Sequence, residues 1–337
     1  MTIKKTMTAG LALAVIAGVI APASAEISER TIRVSNGVAE DHPVGEGVRA
    51  MKACFDEKTG GKWTLNAFWS SALGDDLQAT QALRSGTQEM VITSSSPIVG
   101  VLPALGVFDL PFLFANEQEA DAVLDGEFGQ YVSDMMPQVG LVNLAYWENG
   151  FRNLTNSKRP VTKLDDFDGM RVRVMQNNIF LDTFQTLGTN ATPMAFGEVF
   201  SALETGTIDA QENPYVTIDT SKFYEVQEYL SNTRHAYTPF MVLFSKPIWD
   251  TYAEDEQQIL RDCAVVGRDV QRAASRKLSE ESLARIKEAG LEVNDIDEAS
   301  MTQIRDAVQG VYERHKDEIG AEVVDRMQAA LAEVRGQ

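Results

Sequence analysis

Cysteine, histidine and basic side chains are all scarce in this sequence. Its 337 residues include two cysteines and three histidines, and 30 lysines and arginines stand against 49 aspartates and glutamates, a formal charge of −19. Nucleic acids and anionic membrane surfaces attract basic proteins, so this balance argues against both as partners. The three histidines are too scattered for a metal site, and we expect neither a metal nor another cofactor.

The usual catalytic motifs are absent as well: the sequence has no G-x-S-x-G, no P-loop and no H-E-x-x-H. GEGVRA, residues 45–50, fits the loose dinucleotide fingerprint G-x-G-x-x-A, but eight residues separate it from the preceding strand-like run. Pro43 predicts a helix start that would place both glycines inside a helix. We interpret the paired carboxylates Asp75 and Asp76 as part of a solvated acidic face. These observations favour a protein without catalytic residues, with a secreted oxidoreductase or hydrolase as the alternative.

Long apolar runs are lacking too. The one pronounced run, LALAVIAGVIA, follows Lys4 and Lys5 and precedes a small-residue site at 23–25, which predicts a secretory signal peptide over residues 1–25. The run is shorter than the ~20 residues of a spanning helix, which disfavours the alternative of an N-terminal membrane anchor. The remaining chain keeps 28 basic and 49 acidic residues, a formal charge of −21. We therefore expect an exported, strongly acidic protein.

The two cysteines, Cys54 and Cys263, both lie in helical apolar patterns. In an oxidising compartment they could pair. The sequence favours two buried free thiols and leaves the disulfide as the alternative. Neither cysteine lies near a histidine, so metal ligation is disfavoured.

Short β-rich runs alternate with amphipathic helical stretches along most of the chain. This alternation predicts an α/β architecture with largely parallel sheets. The predicted strands are TIRVSN, WTLNAFW, EMVITSS, LVNLAYW, MRVRVM and FMVLFS, and the predicted helices span 43–58, 76–85, 177–187, 196–205 and 219–230. After Pro247 the pattern predicts a long helix from Glu254 to about Gly290, followed by two shorter helices. No linker separates two domains, so we expect the chain to cross between them more than once and to form a cleft there.

One predicted strand, GMRVRVMQ at 169–176, carries two arginines. Alternate residues of a strand share a face, so Val172 and Val174 point to one side and both arginines to the other. Guanidinium groups are rarely buried without a partner, and open α/β sheets bind ligands at the C-terminal ends of their strands. Arg173 is therefore the candidate ligand contact, and Arg171 is interpreted as a solvated charge near the strand's start.

The segment 169–214 closely resembles the solute-binding proteins of TRAP transporters, the tripartite periplasmic carriers of C4-dicarboxylates, sialic acid, uronates and other organic acids. It keeps LGTNATPMAFGEV and ALETGTIDAQENP. The likeness extends over the chain through VSNGVAEDHP, KTGGKWTLNAFWSSALGDD, LRSGTQEM, GVFDLPFLF, NGFRNLTNSKRP and SKFYEVQEYL. So many matches in the same order make the resemblance specific.

The resemblance implies a two-domain periplasmic binding protein, type II-like, with a ligand cleft between the domains and a long connecting helix. It places domain I at 26–149 and 239–278, and domain II at 150–238 and 279–337. The function it implies is a monomeric periplasmic receptor that binds a carboxylate-bearing small molecule and delivers it to the TRAP membrane permease subunits. The ligand would be a sugar acid such as a uronate, or a C4-dicarboxylate. A ligand-sensing domain with the same cleft is a further alternative.

On the second domain, the resemblance assigns the ligand's carboxylate to Arg173, with Arg152 as a second arginine beside it. A planar guanidinium can hold a carboxylate through two hydrogen bonds, which a lysine cannot. Asn213 corresponds to a ligand-contacting asparagine, with a turn residue before Pro214 as an alternative that can hold at the same time. Phe196 would pack beside the ligand, with a core phenylalanine at a helix start as the alternative. Glu212 is expected to orient its neighbours.

The first domain would contribute residues that face the ligand from the opposite side. Asn36 corresponds to a first-strand residue that faces the cleft. Ser94 stands where sialic acid binders have a glutamate, which weakens the case for sialic acid. Trp147 and Asn149 are candidates for a stacking wall and a hydroxyl contact, with a core tryptophan as the alternative reading of Trp147.

Overall fold

The computed structural model describes residues 2–3 and 27–336, so the predicted signal peptide lies outside it apart from residues 2 and 3. The strands in this part of the chain are β1 (Arg30–Asn36), β2 (Trp63–Phe68), β3 (Met90–Ser94), β4 (Leu141–Asn156), β5 (Arg171–Val174), β6 (Asn190–Pro193), β7 (Ala210–Asn213), β8 (Tyr229–Ser245) and β9 (Glu292–Asn294). The helices are α1 (Val44–Thr59), α2 (Asp76–Arg84), α3 (Glu117–Asp125), α4 (Glu127–Ser133), α5 (Asn178–Thr186), α6 (Val199–Glu204), α7 (Tyr215–Thr220), α8 (Lys246–Trp249), α9 (Glu254–Glu288), α10 (Glu298–Val308), α11 (Gly310–Ile319) and α12 (Ala321–Val334).

All nine strands join one sheet, in the order β2-β1-β3-β8-β4-β7-β5-β6, with β9 also paired to β8. Two long antiparallel strands, β4 and β8, run through its middle. One end of this pair of strands, at the start of β4 and the end of β8, carries β3, β1 and β2. The other end, at the end of β4 and the start of β8, carries β7, β5, β6 and β9. The chain therefore crosses between two halves of the molecule along β4 and back along β8, and crosses again along α9, so it crosses more than once, as the sequence predicts.

The prediction of largely parallel sheets is wrong at the centre of the molecule. The pairings β1 with β2 and β5 with β6 are parallel, but β8 is antiparallel to both β3 and β4. Hydrophobic alternation reports which face of a strand is buried and carries no information on strand direction, so this error is expected.

Two helix predictions also differ from the structure. Residues 219–230 do not form a helix, because Lys222 takes a left-handed backbone with φ 55° and ends α7, after which only the 3₁₀ turn Phe223–Glu225 precedes β8. Three helices follow α9 where two are expected. Gln309, between α10 and α11, has helical dihedrals (φ −54°, ψ −36°), so no breaker residue marks that boundary in the sequence.

The long connecting helix is α9, as expected, and it packs against both halves: against α1 in the first and α7 in the second. Cys263 on α9 is bonded to Cys54 on α1, with their Cα atoms 5.5 Å apart. The expectation of two free thiols is therefore wrong and its alternative correct. The two helical patterns showed that each cysteine is buried but could not show that the two buried faces meet.

Apolar packing accounts for the sheet and its covering helices. In the first half, β1 and β3 pack on α1 and α9 through residues such as Ile32, Met90, Phe55 and Leu260. In the second half, Val172 and Val174 of β5 are fully buried in a cluster that includes α5 and α11. Within the described residues, no helix is both long and apolar enough to cross a bilayer.

Candidate ligand-binding site

A cavity lies where β4 and β8 pass between the two halves. Its lining residues come from both halves and are Asn36, Gly37, Val38, Asp76, Ile92, Ser94, Pro97, Asn149, Arg152, Arg173, Met175, Phe196, Asn213, Thr217 and Phe240. Every site residue predicted from the sequence is among them except Trp147.

Arg173 lies near the C-terminal end of β5 and is 3% exposed. Its Nε and Nη2 donate to the Met194 carbonyl oxygen at 3.0 and 2.7 Å, which fixes the guanidinium plane. Its Nη1 is buried without a hydrogen-bond partner among the described residues. Burial lowers the pKa of Arg173 to about 10, so the group is still a cation at neutral pH. A buried, oriented cation with a spare donor is suited to hold an anionic group.

Arg171, two residues earlier on the same strand, has a different environment. Its side chain is 46% exposed and forms an ion pair with Asp209, with Nη2 and Oδ1 2.6 Å apart. Lys158 reaches the same carboxylate. Arg171 is thus near the strand's start and partly solvated, as the sequence predicts, but it has a fixed acidic partner rather than being a free surface charge.

Arg152, on β4, is buried beside Glu212 of the neighbouring strand β7 and is 1% exposed. Its Nε donates to Glu212 Oε2, and its Nη2 donates to Glu212 Oε1 at 2.9 Å and to Asn213 Oδ1 at 3.1 Å. Nη1 has no partner in the described part of the chain. The pair leaves Arg152 with one free donor, as Arg173 has.

Glu212 is the group that fixes Arg152. Burial alone would raise its pKa, but the charge of Arg152 and the hydrogen bonds from His235 and Arg152 outweigh burial and lower the pKa to about 2. His235 Nε2 lies 3.0 Å from Glu212 Oε2. Glu212 is therefore ionised at any physiological pH, which agrees with the orienting role expected from the sequence.

Asn213 connects this cluster to the cavity. Its Oδ1 accepts from Arg152, and its Nδ2 donates to Gln211 Oε1 at 2.6 Å. The residue before Pro214 is thereby held at the end of β7 with its amide against the cavity. The sequence left open a ligand contact or a turn role, and the geometry is compatible with both.

The opposite wall carries neutral polar groups. Asn36 at the end of β1 donates to the Ile92 carbonyl at 2.6 Å and accepts from the Val38 amide at 2.7 Å. Asn149 Nδ2 donates to Ser94 Oγ at 2.8 Å. Asn149 Oδ1 is buried and has no partner among the residues described. This wall can accept and donate hydrogen bonds but has no positive charge of its own.

Asp76 was missed by the sequence analysis. It lies at the first position of α2, directly after the N-cap Asp75, whose carboxylate forms a capping box with Gln78. Burial raises the pKa of Asp76, while a hydrogen bond from Thr93 and the charge of Arg173 act in the opposite direction. The solvated-face interpretation is therefore wrong for Asp76. The capping box was a usable signal, because it assigns Asp75 to the helix and leaves its neighbour free.

Trp147 does not line the cavity, and its predicted role as a stacking wall is contradicted. The indole is fully buried and donates to the Ala264 carbonyl at 3.0 Å. It occupies the space over Gly47 and Gly267, where an added Cβ would meet the ring at 2.5 Å. The core alternative is correct, since two glycines on α1 and α9 make room for this ring. Phe196, by contrast, lines the cavity and packs edge-on against Phe223, with ring centroids 6.1 Å apart.

Comparisons with known proteins agree with this geometry. Residues 34–318 match the family model DctP, bacterial extracellular solute-binding protein, family 7. The chain is 33% identical over 297 residues to the 2,3-diketo-L-gulonate-binding periplasmic protein YiaO of Escherichia coli, covering 86% of this chain and 90% of that protein.

Solved structures are similar over nearly the whole chain. The sugar acid binding protein DctPAm from Advenella mimigardefordensis, in complex with galactonate, is 44% identical with a TM-score of 0.89, and the match covers 91% of this chain and 99% of that one. A TRAP periplasmic solute-binding protein from Sulfurospirillum deleyianum with bound succinate is 29% identical with a TM-score of 0.85, covering 90% and 100%. The predicted two-domain α/β fold with its long helix is confirmed. The chain belongs to family 7 of the bacterial extracellular solute-binding proteins.

Proposed function

We propose that this protein is the periplasmic receptor of a TRAP transporter and that it captures a hydroxylated monocarboxylic acid, such as an aldonate or a uronate, for delivery to the membrane permease subunits. One observation carries the proposal. Two buried arginines, Arg173 and Arg152, line one cavity and each keeps an unpaired Nη1 among the described residues.

The arginines supply the carboxylate site. A charge-assisted hydrogen bond contributes roughly 1.5–3 kcal/mol, and the contribution grows where water is excluded. Both guanidinium planes are already fixed, by Met194 and Glu212, so little side-chain freedom is lost on binding. A single carboxylate that accepts from both free donors satisfies two buried groups at once.

The opposite wall favours hydroxyl groups over a second carboxylate. Ser94, Asn149 and Asn36 are neutral, and Asp76 adds a carboxylate that can accept from a hydroxyl but repels an anion. This charge arrangement supports a ligand with one charged end and one hydroxylated end. Phe196 would pack against the carbon chain.

A C4-dicarboxylate is the second candidate. The structure that binds succinate is similar to this chain, and so are structures with galactonate, β-D-galacturonate and D-glucuronate. Because Asp76 opposes a second negative charge, we place the sugar acids ahead.

The proposed mechanism is closure of two domains over the ligand, followed by recognition of the closed form by the permease. In this mechanism domain I comprises residues 26–149 and 239–278, and domain II comprises residues 150–238 and 279–337. The β4–β8 ladder supports these boundaries, since one of its three register shifts lies between Glu148 and Gly150, where Gly150 has φ 113°. The proposal also includes export by the signal peptide at 1–25, a monomeric receptor, and no bond-making or bond-breaking step.

A ligand panel tests the proposal. The chain without residues 1–25 should show a rise in melting temperature with D-galactonate or D-glucuronate and a smaller rise with succinate. Absence of a shift with every acid in the panel would overturn the receptor assignment. Turnover of a nicotinamide cofactor or a chromogenic ester would favour the secreted-enzyme alternative, and binding without transport by a permease would favour a sensing domain.

A further inference from the structure

A second buried carboxyl group is hydrogen-bonded to residues that adjoin the cavity wall and has no part in the binding scheme above. Asp109 ends the 3₁₀ segment Pro103–Asp109 and is 2% exposed. Ser96 Oγ donates to its Oδ1, and Asn177 Nδ2 donates to its Oδ2 at 2.8 Å. Both of these donors are neutral side chains.

Asp109 fixes two parts of the cavity wall. Ser96 is followed directly by Pro97, which lines the cavity. The side-chain oxygen of Asn177 caps α5 by accepting from the Phe180 backbone N–H. The backbone N–H of Asn177 donates to the Met175 carbonyl oxygen at 2.7 Å. Met175 also lines the cavity. The carboxyl group thus connects the two segments that carry Pro97 and Met175 from opposite halves of the molecule.

The charged groups nearest to Asp109 do not compensate its charge. The positive charge of Arg152 favours the ionised form of Asp109, and the negative charge of Glu212 disfavours it. Burial has the largest effect and raises the pKa of Asp109 to about 7. Arg152 is already paired with Glu212 through two oxygens. On β8, which packs against this segment, His235 contacts Glu212.

Three further helices, α5, α11 and α12, pack on the segment Pro103–Asp109 and carry titratable groups that pair with one another. On α5, Asp182 accepts from Arg314 of α11 at 2.7 Å and lies 3.1 Å from His315 Nε2. On α12, Asp325 pairs with Lys316 at 2.7 Å. These pairs leave Arg152 and Glu212 as the charges that govern Asp109.

We propose that Asp109 is a positioning residue whose carboxyl group takes up a proton when an organic anion enters the cavity. The ligand brings a new negative charge to Arg152 and Arg173. This charge offsets the attraction of Arg152 for the ionised Asp109 and makes its ionisation less favourable. The inference rests on the proposed function, because it needs an anionic ligand at the arginines.

The hydrogen-bond network can persist through this change. A protonated Asp109 still accepts from Asn177 with its carbonyl oxygen and can donate to Ser96 Oγ, because a hydroxyl oxygen accepts as well as donates. Proton uptake therefore needs no rearrangement of Pro97 or Met175. The expected consequence is an affinity that is constant below the pKa of the free protein and weakens above it, by at most about tenfold per pH unit.

Calorimetry near pH 7 in two buffers of different ionisation enthalpy measures the proton directly. With D-galactonate as the probe, the wild type should take up as much as about half a proton per ligand, since a group with pKa about 7 is half ionised there. Asp109→Asn should still bind and should take up none. The matched control is Glu148→Gln, because burial raises the pKa of Glu148 to about 7 as well, but Glu148 is paired with Arg276 and lies outside the cavity lining.

Three results would overturn the inference: binding by the wild type without proton uptake, uptake that persists in Asp109→Asn, or uptake that is lost in Glu148→Gln. If D-galactonate does not bind, the proposed monocarboxylate ligand is in question, and the free protein still tests Asp109. Carbon-13 NMR of its side-chain carboxyl should then show titration near pH 7, and titration near its usual value of about 4 would contradict the inference.

Discussion

Arg152 and Glu212 form a buried ion pair in which Nε and Nη2 of the arginine contact both carboxylate oxygens, and both side chains are at most 1% exposed. The pair fixes one guanidinium next to the cavity and leaves its Nη1 without a partner in the part of the chain that the structure describes. Its sequence separation is 60 residues, bridged by the antiparallel pairing of β4 and β7. The carboxylate site therefore depends on one sheet contact as much as on the arginines.

Glu212→Gln should destabilise the free protein and weaken ligand binding together. The substitution leaves the Arg152 charge buried and uncompensated, which typically costs about 3–5 kcal/mol. Chemical denaturation and titration with D-galactonate measure the two effects. Asp209→Asn is the matched control, since Asp209 pairs with the half-exposed Arg171 on the neighbouring part of the sheet and should change affinity little. Equal effects of the two substitutions would contradict this account.

Asp76→Asn should shift the ligand preference towards dicarboxylates. Removing the opposing charge should raise the affinity for succinate relative to D-galactonate by at least about tenfold. Asp75→Asn is the control, because asparagine also caps helices well and Asp75 does not line the cavity. An unchanged ratio of the two affinities in Asp76→Asn would remove the argument for a monocarboxylate.

Replacing Cys54 and Cys263 with serine should lower stability and leave ligand affinity unchanged. The disulfide joins residues 209 apart, and loss of a native disulfide typically costs about 2–4 kcal/mol. Denaturant midpoints of the double variant, and of the wild type with and without reductant, measure this cost. A large loss of affinity in the folded variant would show that the α1–α9 contact controls the cavity.

Gly267→Ala should destabilise the protein through Trp147. A Cβ at this position would lie 2.5 Å from the indole, and overpacking of a rigid core costs about 1–3 kcal/mol. Gly197→Ala serves as the control, because an added Cβ there meets no atom within 4 Å. If Gly267→Ala melts like the wild type, Trp147 is more mobile than its buried position indicates.

The stability of the free protein should decrease as pH falls below about 4, and it should also decrease as pH rises from about 4 to 7. Glu212 has a lowered pKa of about 2, so its stabilisation is complete above its usual pKa and is lost as pH falls towards 2. Asp109 and Glu148 have pKa values raised to about 7, so the native state binds more protons than the unfolded state and stability falls as pH rises towards 7. Melting temperatures across this range check both branches. The stability of Asp109→Asn relative to the wild type should be higher at about pH 8 than at about pH 5.

The site residues predicted from the sequence line one cavity, apart from Trp147, because their signals are local. Strand alternation placed Arg171 and Arg173 on one face, their positions along the strand separated them, and the motif around Asn213 placed the end of β7. The whole of β4 was harder to predict. All 16 of its residues are buried, and its second half, ENGFRNLTN, contains polar side chains that a hydrophobic pattern does not identify as strand.

Features that depend on contacts between distant segments were missed. The disulfide needs α1 and α9 to meet, and the position of Trp147 depends on glycines 220 residues apart, Gly47 and Gly267. Which acidic residue enters the cavity depends on tertiary structure as well, so Asp76 could not be separated from the surface carboxylates by charge pattern alone.

Isothermal titration with D-galactonate on Arg173→Ala and Arg171→Ala tests the central claim most directly. Arg173→Ala should lose about tenfold to a hundredfold in affinity, because one charge-assisted contact of roughly 1.5–3 kcal/mol is removed, while its melting temperature without ligand changes little. Arg171→Ala should bind within about twofold of the wild type, since its guanidinium is engaged by Asp209 away from the cavity. Full affinity in Arg173→Ala, or a comparable loss in Arg171→Ala, would contradict the assignment of Arg173 as the carboxylate-binding residue.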